Sequence, residues 1–368
     1  MPVYKDTERG TWFFEFRKVI NGITYKRKRR GFNTKAAAQN AEYKMIESLK
    51  DEKSRNLLSK KVSTLNNIFE SFVEYKKMKI RITTLDGHII KFRKHIGPVL
   101  GKMQISQITP ETARKWKVNF ISNNFSNSFT NQTIALFKNI LEYAITRGYP
   151  VNPDVIIELD RVAMQKVAIE RDVWTQEEMD QFLNSFDLTI PIELDYYQYF
   201  YAFSKSGMRP NEFRALQVQD IQGEYLNVNK DITSKVTGMG DIIQPPKNQS
   251  SIRKVIMPND VIEMLLNRTK GYKSTDFIFG KDKAFRESNI RRALNVHAKA
   301  ANVKHIVIYG FRHSHATHLI RSGVPIKVVS QRLGHKDITT TINTYWHLLK
   351  EDERKALEAL KSNKNNVF

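Results

Sequence analysis

The chain has 368 residues, 40% of them hydrophobic, enough for ordinary packed cores and too many for a disordered protein. Lysine and arginine number 60 against 38 aspartates and glutamates, a formal net charge of +22, and such a surplus calls for a polyanion as partner: DNA, RNA or an anionic membrane surface. No run of about 18 apolar residues is present to span a membrane, MPVYKDTERGTW lacks the apolar core of a signal peptide, and the absence of cysteine excludes disulfides, thiolate metal sites and cysteine nucleophiles and is compatible with a reducing cytoplasm.

In TWFFEFRKV, aromatic and polar residues alternate as in a half-buried strand. Asn21-Gly22 is a two-residue hairpin signal, and ITYKRKRRGF reads as a second, cation-rich strand. Thr34 is placed to cap a helix from Lys35 to about Lys50. Lys26, Arg27, Lys28, Arg29 and Arg30 fit an edge strand guarded by charge. Five consecutive cations nevertheless exceed what solubility needs, and they point to nucleic-acid contact.

The polar SRNLLSKKV, Ser54 to Val62, reads as a linker. From Ser63 helical periods dominate: LNNIFESFVEYKKM puts Leu65, Ile68, Phe69, Phe72 and Val73 on one face. TTLDGHIIKFRKHIGPVLG is expected to stop at Gly97-Pro98, TPETARKWKVNFI opens on a Thr-Pro start, and SFTNQTIALFKNILEYAITRGYPVNP ends in glycine and proline punctuation. After a second linker, WTQEEMDQFLNSF opens a helix with Thr175 and Glu178 at capping-box spacing. A helix running into SGMRPNEFRALQV follows, then three strand-like runs (EYLNVNKDI, DIIQPP and IRKVIMP), then helices to about Lys361. The expected division is 1–60, a helical domain over 61–155, a linker over 156–171 and a last domain over 172–368.

Four separated pieces of the last domain carry chemistry. In GMRPNEF, Arg209 and Glu212 share one side of a helix start. Lys247 sits in a polar turn, PPKNQSSIRKVIMP, from which an ammonium reaches into a cleft while the strands stay rigid. In IYGFRHSHATHLIRSG, Arg312 opens a helix carrying His313, His315 and His318; positions 313 and 315 point roughly 200° apart, which speaks against a metal site. In LGHKDITTTINTYWHLL, Gly334 is a helix-ending glycine, His335 lies just beyond it and Tyr345 stands on a further helix. Singly, each residue has an ordinary explanation: a helix-end pair, a surface lysine, a core aromatic. Together, two arginines, a lysine, a histidine and a tyrosine form a set for phosphoryl transfer to tyrosine. Guanidinium forks grip non-bridging oxygens, lysine protonates a leaving oxygen, and histidine donates to a phosphoryl oxygen. A phenol of ordinary pKa about 10 needs such help to become a nucleophile.

These motifs resemble those of the tyrosine recombinases, the integrases of phages and mobile elements, over essentially the whole chain. GMRPNEF is similar to that family's Gly-Leu-Arg-x-x-Glu, GFRHSHATHL to Asp-Leu-Arg-His-Thr-His-Ala-Thr, and LGHKDITTTINTYWHL to Leu-Gly-His followed by Thr-x-x-x-Tyr-x-His. The resemblance implies a multidomain, mainly α protein with small sheets. It would comprise a three-stranded arm-binding sheet with one helix, an all-α SAM-like core-binding domain and an α+β catalytic domain. It implies that Arg209, Lys247, Arg312, His335 and Tyr345 are catalytic, with Glu212 as helper, and that the enzyme cuts and rejoins double-stranded DNA through a 3′-phosphotyrosyl bond without metal, ATP or other cofactor. The family usually has histidine three residues before the second arginine; here Tyr309 stands there, so proton removal from Tyr345 falls to Lys247, water or a neighbour such as His313. Implied partners are core-type and arm-type DNA sites, three further copies in a tetramer exchanging the C-terminal helix around Ala356, Leu357 and Leu360, and host bending and excision factors. A type IB topoisomerase and a non-catalytic DNA-binding regulator remain alternatives, the latter requiring that Tyr345→Phe change nothing.

Overall fold

A computed structural model of the chain describes residues 3–20, 23–61, 63–163, 172–234 and 236–345. Two compact units are present, Met1–Lys166 and Val167–Phe368.

The first unit opens with an antiparallel sheet in the order β1 (Val3–Asp6), β2 (Thr11–Ile20), β3 (Ile23–Phe32), followed by α1 (Lys35–Lys61). Strand alternation sends Phe14 and Phe16 to the face that packs on Ile46 of α1. The opposite face carries Phe13, stacked on Tyr4 at 5.4 Å between ring centroids, with the Lys28 ammonium 4.8 Å and the Arg30 guanidinium 5.6 Å from its ring. Directly opposed residues share a face, and β3 pairs Lys26 with Arg17, Lys28 with Glu15, Arg27 with Phe16 and Arg29 with Phe14. The pleat therefore splits the expected basic stripe: Lys26, Lys28 and Arg30 lie on the outer face, Arg27 and Arg29 on the face of the helix.

The linker expected over Ser54–Val62 is instead the end of α1, which runs to Lys61. Polar residues do not terminate a helix, and no glycine or proline lies between Lys35 and Lys61 to do so. The helical part then comprises α2 (Leu65–Lys77), α3 (Ile82–Lys91), α4 (Gly97–Leu100), α5 (Pro110–Ile121), α6 (Asn127–Thr146) and α7 (Val155–Glu158) around a core that includes Phe69, Phe72, Trp116 and Phe137. Thr64 caps α2 and Thr109 caps α5, each accepting a backbone N–H three residues on. The expected stop at Gly97-Pro98 does not occur. A π turn over Phe92–Ile96 shifts the hydrogen-bond register, and Pro98 falls in the first turn of α4, where its missing N–H needs no partner.

The second unit begins with α8 (Gln176–Asn184), closed by the capping box of Thr175 and Glu178, and α9 (Pro191–Ser206). After α10 (Pro210–Arg214), strand β5 (Tyr225–Val228) pairs antiparallel with β4 (Ile221–Gln222) on one side and with β8 (Arg253–Ile256) on the other, while β6 (Asp231–Thr233) and β7 (Ile242–Gln244) form a separate antiparallel pair inserted in sequence between β5 and β8. The run EYLNVNKDI is thus two strands, broken at Asn229-Lys230, where both side chains turn inward to Asp220. Helices α11 (Asn259–Arg268), α12 (Glu287–Ala300), α13 (Gly310–Arg321) and α14 (Ile326–Leu333) follow, and residues 338–345 are helical. The core is aromatic. Phe311, fully buried at the start of α13, lies 5.4 Å from both Phe200 and Trp174 and 5.5 Å from Phe203 by ring centroids. Burying such a ring is worth about 1.5–3 kcal/mol, and the anchor fixes the rotation of α13 on α9. The Asn21-Gly22 turn, part of the second linker (164–171) and the C-terminal helix with Ala356, Leu357 and Leu360 lie outside the described residues. Among those described, no helix is long and apolar enough to cross a membrane.

Candidate active site

Helix α9 ends at Gly207, whose φ of 64° is the left-handed conformation glycine adopts at no steric cost. The turn aims the Gly207 carbonyl at α13, where it accepts from Arg312 Nη1 at 2.8 Å. It also brings Arg209 to the cap position of α10. Glu212, two residues inside that helix and 2% exposed, accepts from the Arg209 backbone N–H at 3.0 Å and from Arg209 Nη1 at 2.6 Å. Its second partner is Arg253 Nη2, at 3.1 Å. Burial favours the neutral acid, yet Arg253 and Arg209 hold the Glu212 carboxyl below its usual range.

Three further links close the site around these groups. Arg209 Nη1 donates to Ser251 Oγ at 3.2 Å and its Nη2 to the Gly334 carbonyl at 3.4 Å. Arg253 Nε donates to the Arg332 carbonyl at 2.7 Å. The end of α14, the start of β8 and the cap of α10 are thereby tied to one another. Gly334, with φ 70°, leaves room for Arg253: a Cβ there would stand 2.9 Å from Nη1.

Arg312 is 1% exposed, and burial pushes its guanidinium down to about 10. Its Nη2 is buried and, among the described residues, has no hydrogen-bond acceptor. A buried donor of this kind costs free energy until an acceptor arrives, and an anionic oxygen is the acceptor a guanidinium suits best. His335 donates or accepts through Nδ1 at Thr341 Oγ1, 2.7 Å away. Burial, reinforced by Arg312, Arg209 and Arg253, pushes its imidazole down to about 4, so it is neutral at pH 7.

Tyr345 is 3% exposed, packed beside Ala316, Ile320, Val329 and Leu333, and its hydroxyl lies 2.9 Å from His313 Nδ1. The three histidines of α13 do not converge. His315 bonds the Ser204 carbonyl through Nδ1 at 2.9 Å and Arg332 Nε through Nε2 at 3.0 Å, whereas His313 faces Tyr345. Among the described residues no group of three or more His, Asp or Glu is arranged to hold a metal ion.

Arg209, Glu212, Arg312 and His335 are thus within one electrostatic neighbourhood, and Tyr345 reaches it through the residue next to Arg312. Tyr309 caps α13 with its ring centroid 5.1 Å from that of His313. Lys247 is exposed in the connection between β7 and β8, and among the described residues its side chain has no hydrogen bond or ion pair. It lies four positions before Ser251, the partner of Arg209. Two contributors were not singled out from sequence, Arg253 and Ser251; the Ser-x-Arg that follows Lys247 was the available signal.

Known proteins share this chain's pattern over most of its length. The Phage integrase family model matches residues 172–352, the phage integrase N-terminal SAM-like domain 64–121 and the Arm DNA-binding domain 2–49. The chain is 25% identical over 348 residues to the ICEBs1 integrase of Bacillus subtilis, covering 89% of this chain and 90% of that one. It is 24% identical over 301 residues to the transposase from transposon Tn916 of Enterococcus faecalis, covering 74% and 71%. Among solved structures, the Tn1549 transposon integrase in complex with a circular intermediate DNA superposes with a TM-score of 0.64 at 19% identity, covering 81% of this chain and 99% of that chain. A lambda integrase dimer bound to a core site gives 0.59 at 15% identity, covering 93% of each chain.

Proposed function

Because the chain belongs to the phage integrase family, the tyrosine recombinases, we propose that Tyr345 is its nucleophile and that Arg209, Arg312 and His335 bind the scissile phosphate. The protein is an integrase, a DNA strand-transferring enzyme of a phage or mobile element. The observation that carries the site assignment is the buried, acceptor-less Nη2 of Arg312, set among Arg209, Arg253 and a neutral His335.

Two guanidinium groups take the non-bridging oxygens and meet the extra charge of the pentacoordinate transition state. Their positions are set before DNA arrives, Arg209 by Glu212 and Ser251, Arg312 by Gly207. Neutral His335 donates through its remaining ring nitrogen to a phosphoryl oxygen without adding repulsion to a cluster already rich in arginine. Lys247, on an exposed turn, protonates the departing 5′-oxygen once DNA draws that turn inward. Tyr345 then carries the 3′-phosphate, and a 5′-hydroxyl from the partner duplex attacks the phosphotyrosyl bond. Bond energy is kept in the covalent intermediate, so neither ATP nor a metal ion is spent.

The substrate is double-stranded DNA read at two kinds of site. The helical part of the first unit and the catalytic unit take the core site, and the sheet of β1–β3 takes arm sites through Lys26, Lys28 and Arg30, with Arg27 and Arg29 contributing from the helix side of the same strand. Four copies exchange C-terminal segments on two duplexes, with a host bending protein and an excision factor setting direction, in the host cytoplasm. A plasmid bearing two attachment sites, cloned from the DNA flanking the reading frame, tests the assignment. Recombination in EDTA without nucleotide, abolished by Tyr345→Phe, supports it. Relaxation of supercoils without recombination would mark a topoisomerase, and unchanged activity in Tyr345→Phe would remove Tyr345 from the chemistry.

A further inference from the structure

We propose that His313 is the general base of strand cleavage: it takes the phenolic proton of Tyr345 through Nδ1 and returns it during rejoining. This rests on the reading of Tyr345 as nucleophile and names a catalytic residue that reading leaves open.

Geometry is the first ground. His313 Nδ1 lies 2.9 Å from the Tyr345 hydroxyl, within the reach proton transfer requires. Both residues are buried, Tyr345 3% and His313 8% exposed, so bulk water has little access to that proton. The second ground is exclusion of the other imidazoles. His335 has Nδ1 occupied by Thr341 and sits among three arginines that disfavour a positive ring. His315 has both nitrogens engaged, on the Ser204 carbonyl and on Arg332. The third ground is substitution. The position where the resemblance leads one to expect histidine is Tyr309, and a phenol is a poorer proton acceptor near neutrality than an imidazole. The Tyr309 ring packs 5.1 Å from that of His313, covering the imidazole from the start of α13. Among the described residues, the rings packed against His313 include Tyr309 on its own helix and Tyr345 from 338–345.

The step balances. The Tyr345 Oη–phosphorus bond forms as the phosphorus–O5′ bond breaks; the phenolic proton passes to His313 Nδ1, and the 5′-oxygen receives a proton from Lys247. In rejoining, the 5′-hydroxyl attacks and gives its proton to Lys247 as the phosphorus–O5′ bond forms, the Tyr345 Oη–phosphorus bond breaks, and His313 hands the proton back to Tyr345 Oη.

The test is single-turnover cleavage of a nicked attachment-site duplex, prepared with either oxygen or sulfur at the bridging 5′ position. A thiolate leaves without being protonated, so sulfur rescues loss of a general acid and not loss of a base. His313→Asn places an amide where Nδ1 lies, keeps the hydrogen bond and cannot accept the proton. It is expected to slow adduct formation by about 100-fold or more on both substrates while binding the duplex as the wild type does. Lys247→Ala is expected to be slow on oxygen and restored on sulfur. Cleavage by His313→Asn within about threefold of wild type, faster than wild type, or restored by sulfur overturns the proposal. Should that variant fail to fold, the pH profile of the unmodified enzyme on the sulfur substrate decides. A rate that levels off in the imidazole range supports His313, and one that keeps climbing through that range without levelling overturns it. Failure of the underlying reading looks different: no adduct in the wild type, or an adduct in Tyr345→Phe.

Discussion

Glu212 holds Arg209 by two bonds at once, accepting its backbone N–H at 3.0 Å and its Nη1 at 2.6 Å, so one carboxylate both caps α10 and aims a guanidinium. The same carboxylate neutralises Arg253. Glu212→Ala leaves two arginines facing each other in a largely buried setting. The expected cost is about 3–5 kcal/mol in the second unit, read as lost hydrogen-exchange protection in β8 and α14, with adduct formation falling further than DNA binding. A cost under about 1 kcal/mol would show that the carboxylate is solvated rather than structural.

Gly207 and Gly223 make a matched pair. Both have left-handed backbone, with φ 64° and 61°. A Cβ on Gly207 would stand 2.5 Å from the His315 ring, which two hydrogen bonds hold in place; a Cβ on Gly223 meets nothing within 4 Å. Gly223→Ala is expected to cost only the backbone strain, about 1–2 kcal/mol. Gly207→Ala adds overpacking, typically about 1–3 kcal/mol more, and displaces the carbonyl that receives Arg312. Thermal unfolding and cleavage rates of the two variants check the difference, and equal effects would contradict it.

Low pH should weaken the second unit through His335. Its folded value of about 4 lies below the ordinary 6.5, so the unfolded chain binds the extra proton between those values. Stability is fully present above pH 6.5 and is lost as pH falls toward 4, with a slope of about 1.4 kcal/mol per pH unit for that proton. Hydrogen-exchange protection of α13, measured across this window, should fall less steeply in His335→Asn. An identical slope in the variant would mean that His335 titrates normally.

On the arm sheet, alternation makes Lys28 and Arg30 outer-face residues and places Arg27 and Arg29 opposite Phe16 and Phe14. Lys28→Ala/Arg30→Ala is expected to flatten the salt dependence of arm-site binding by about 0.9 per lost phosphate contact, nearly 2 in log–log slope. Arg27→Ala/Arg29→Ala should change it by less than half of that. The reverse order would place DNA on the other side of the sheet.

Local signals were the legible part of this chain. The capping threonines at 34, 109 and 175 and the glycine after α14 all act through neighbours a few residues away, which is the range a sequence pattern reports. The end of α1 is not legible in this way, because polar residues do not by themselves end a helix, and neither is the continuation past Gly97-Pro98, because a π turn just upstream lets the helix absorb a proline. In the site, Arg209, Glu212, Arg312 and His335 stood out through their motifs. The part of Arg253 did not, since its bonds run to Glu212, 41 residues away, and to the Arg332 carbonyl, 79 residues away, and no local spacing encodes such pairings. The pairing of Tyr345 with His313 is of the same kind, joining positions 32 residues apart.

Peptide mapping of the covalent adduct bears most directly on the account. A nicked attachment-site duplex is incubated with the full chain in EDTA, the trapped complex is digested with nuclease and protease, and the nucleotide-bearing peptide is sequenced by mass spectrometry. The account predicts one modified peptide, with the 3′-phosphate on Tyr345, and its disappearance in Tyr345→Phe. A 3′-phosphate on Tyr309 or on any other residue, or strand cleavage with no adduct at all, would contradict it.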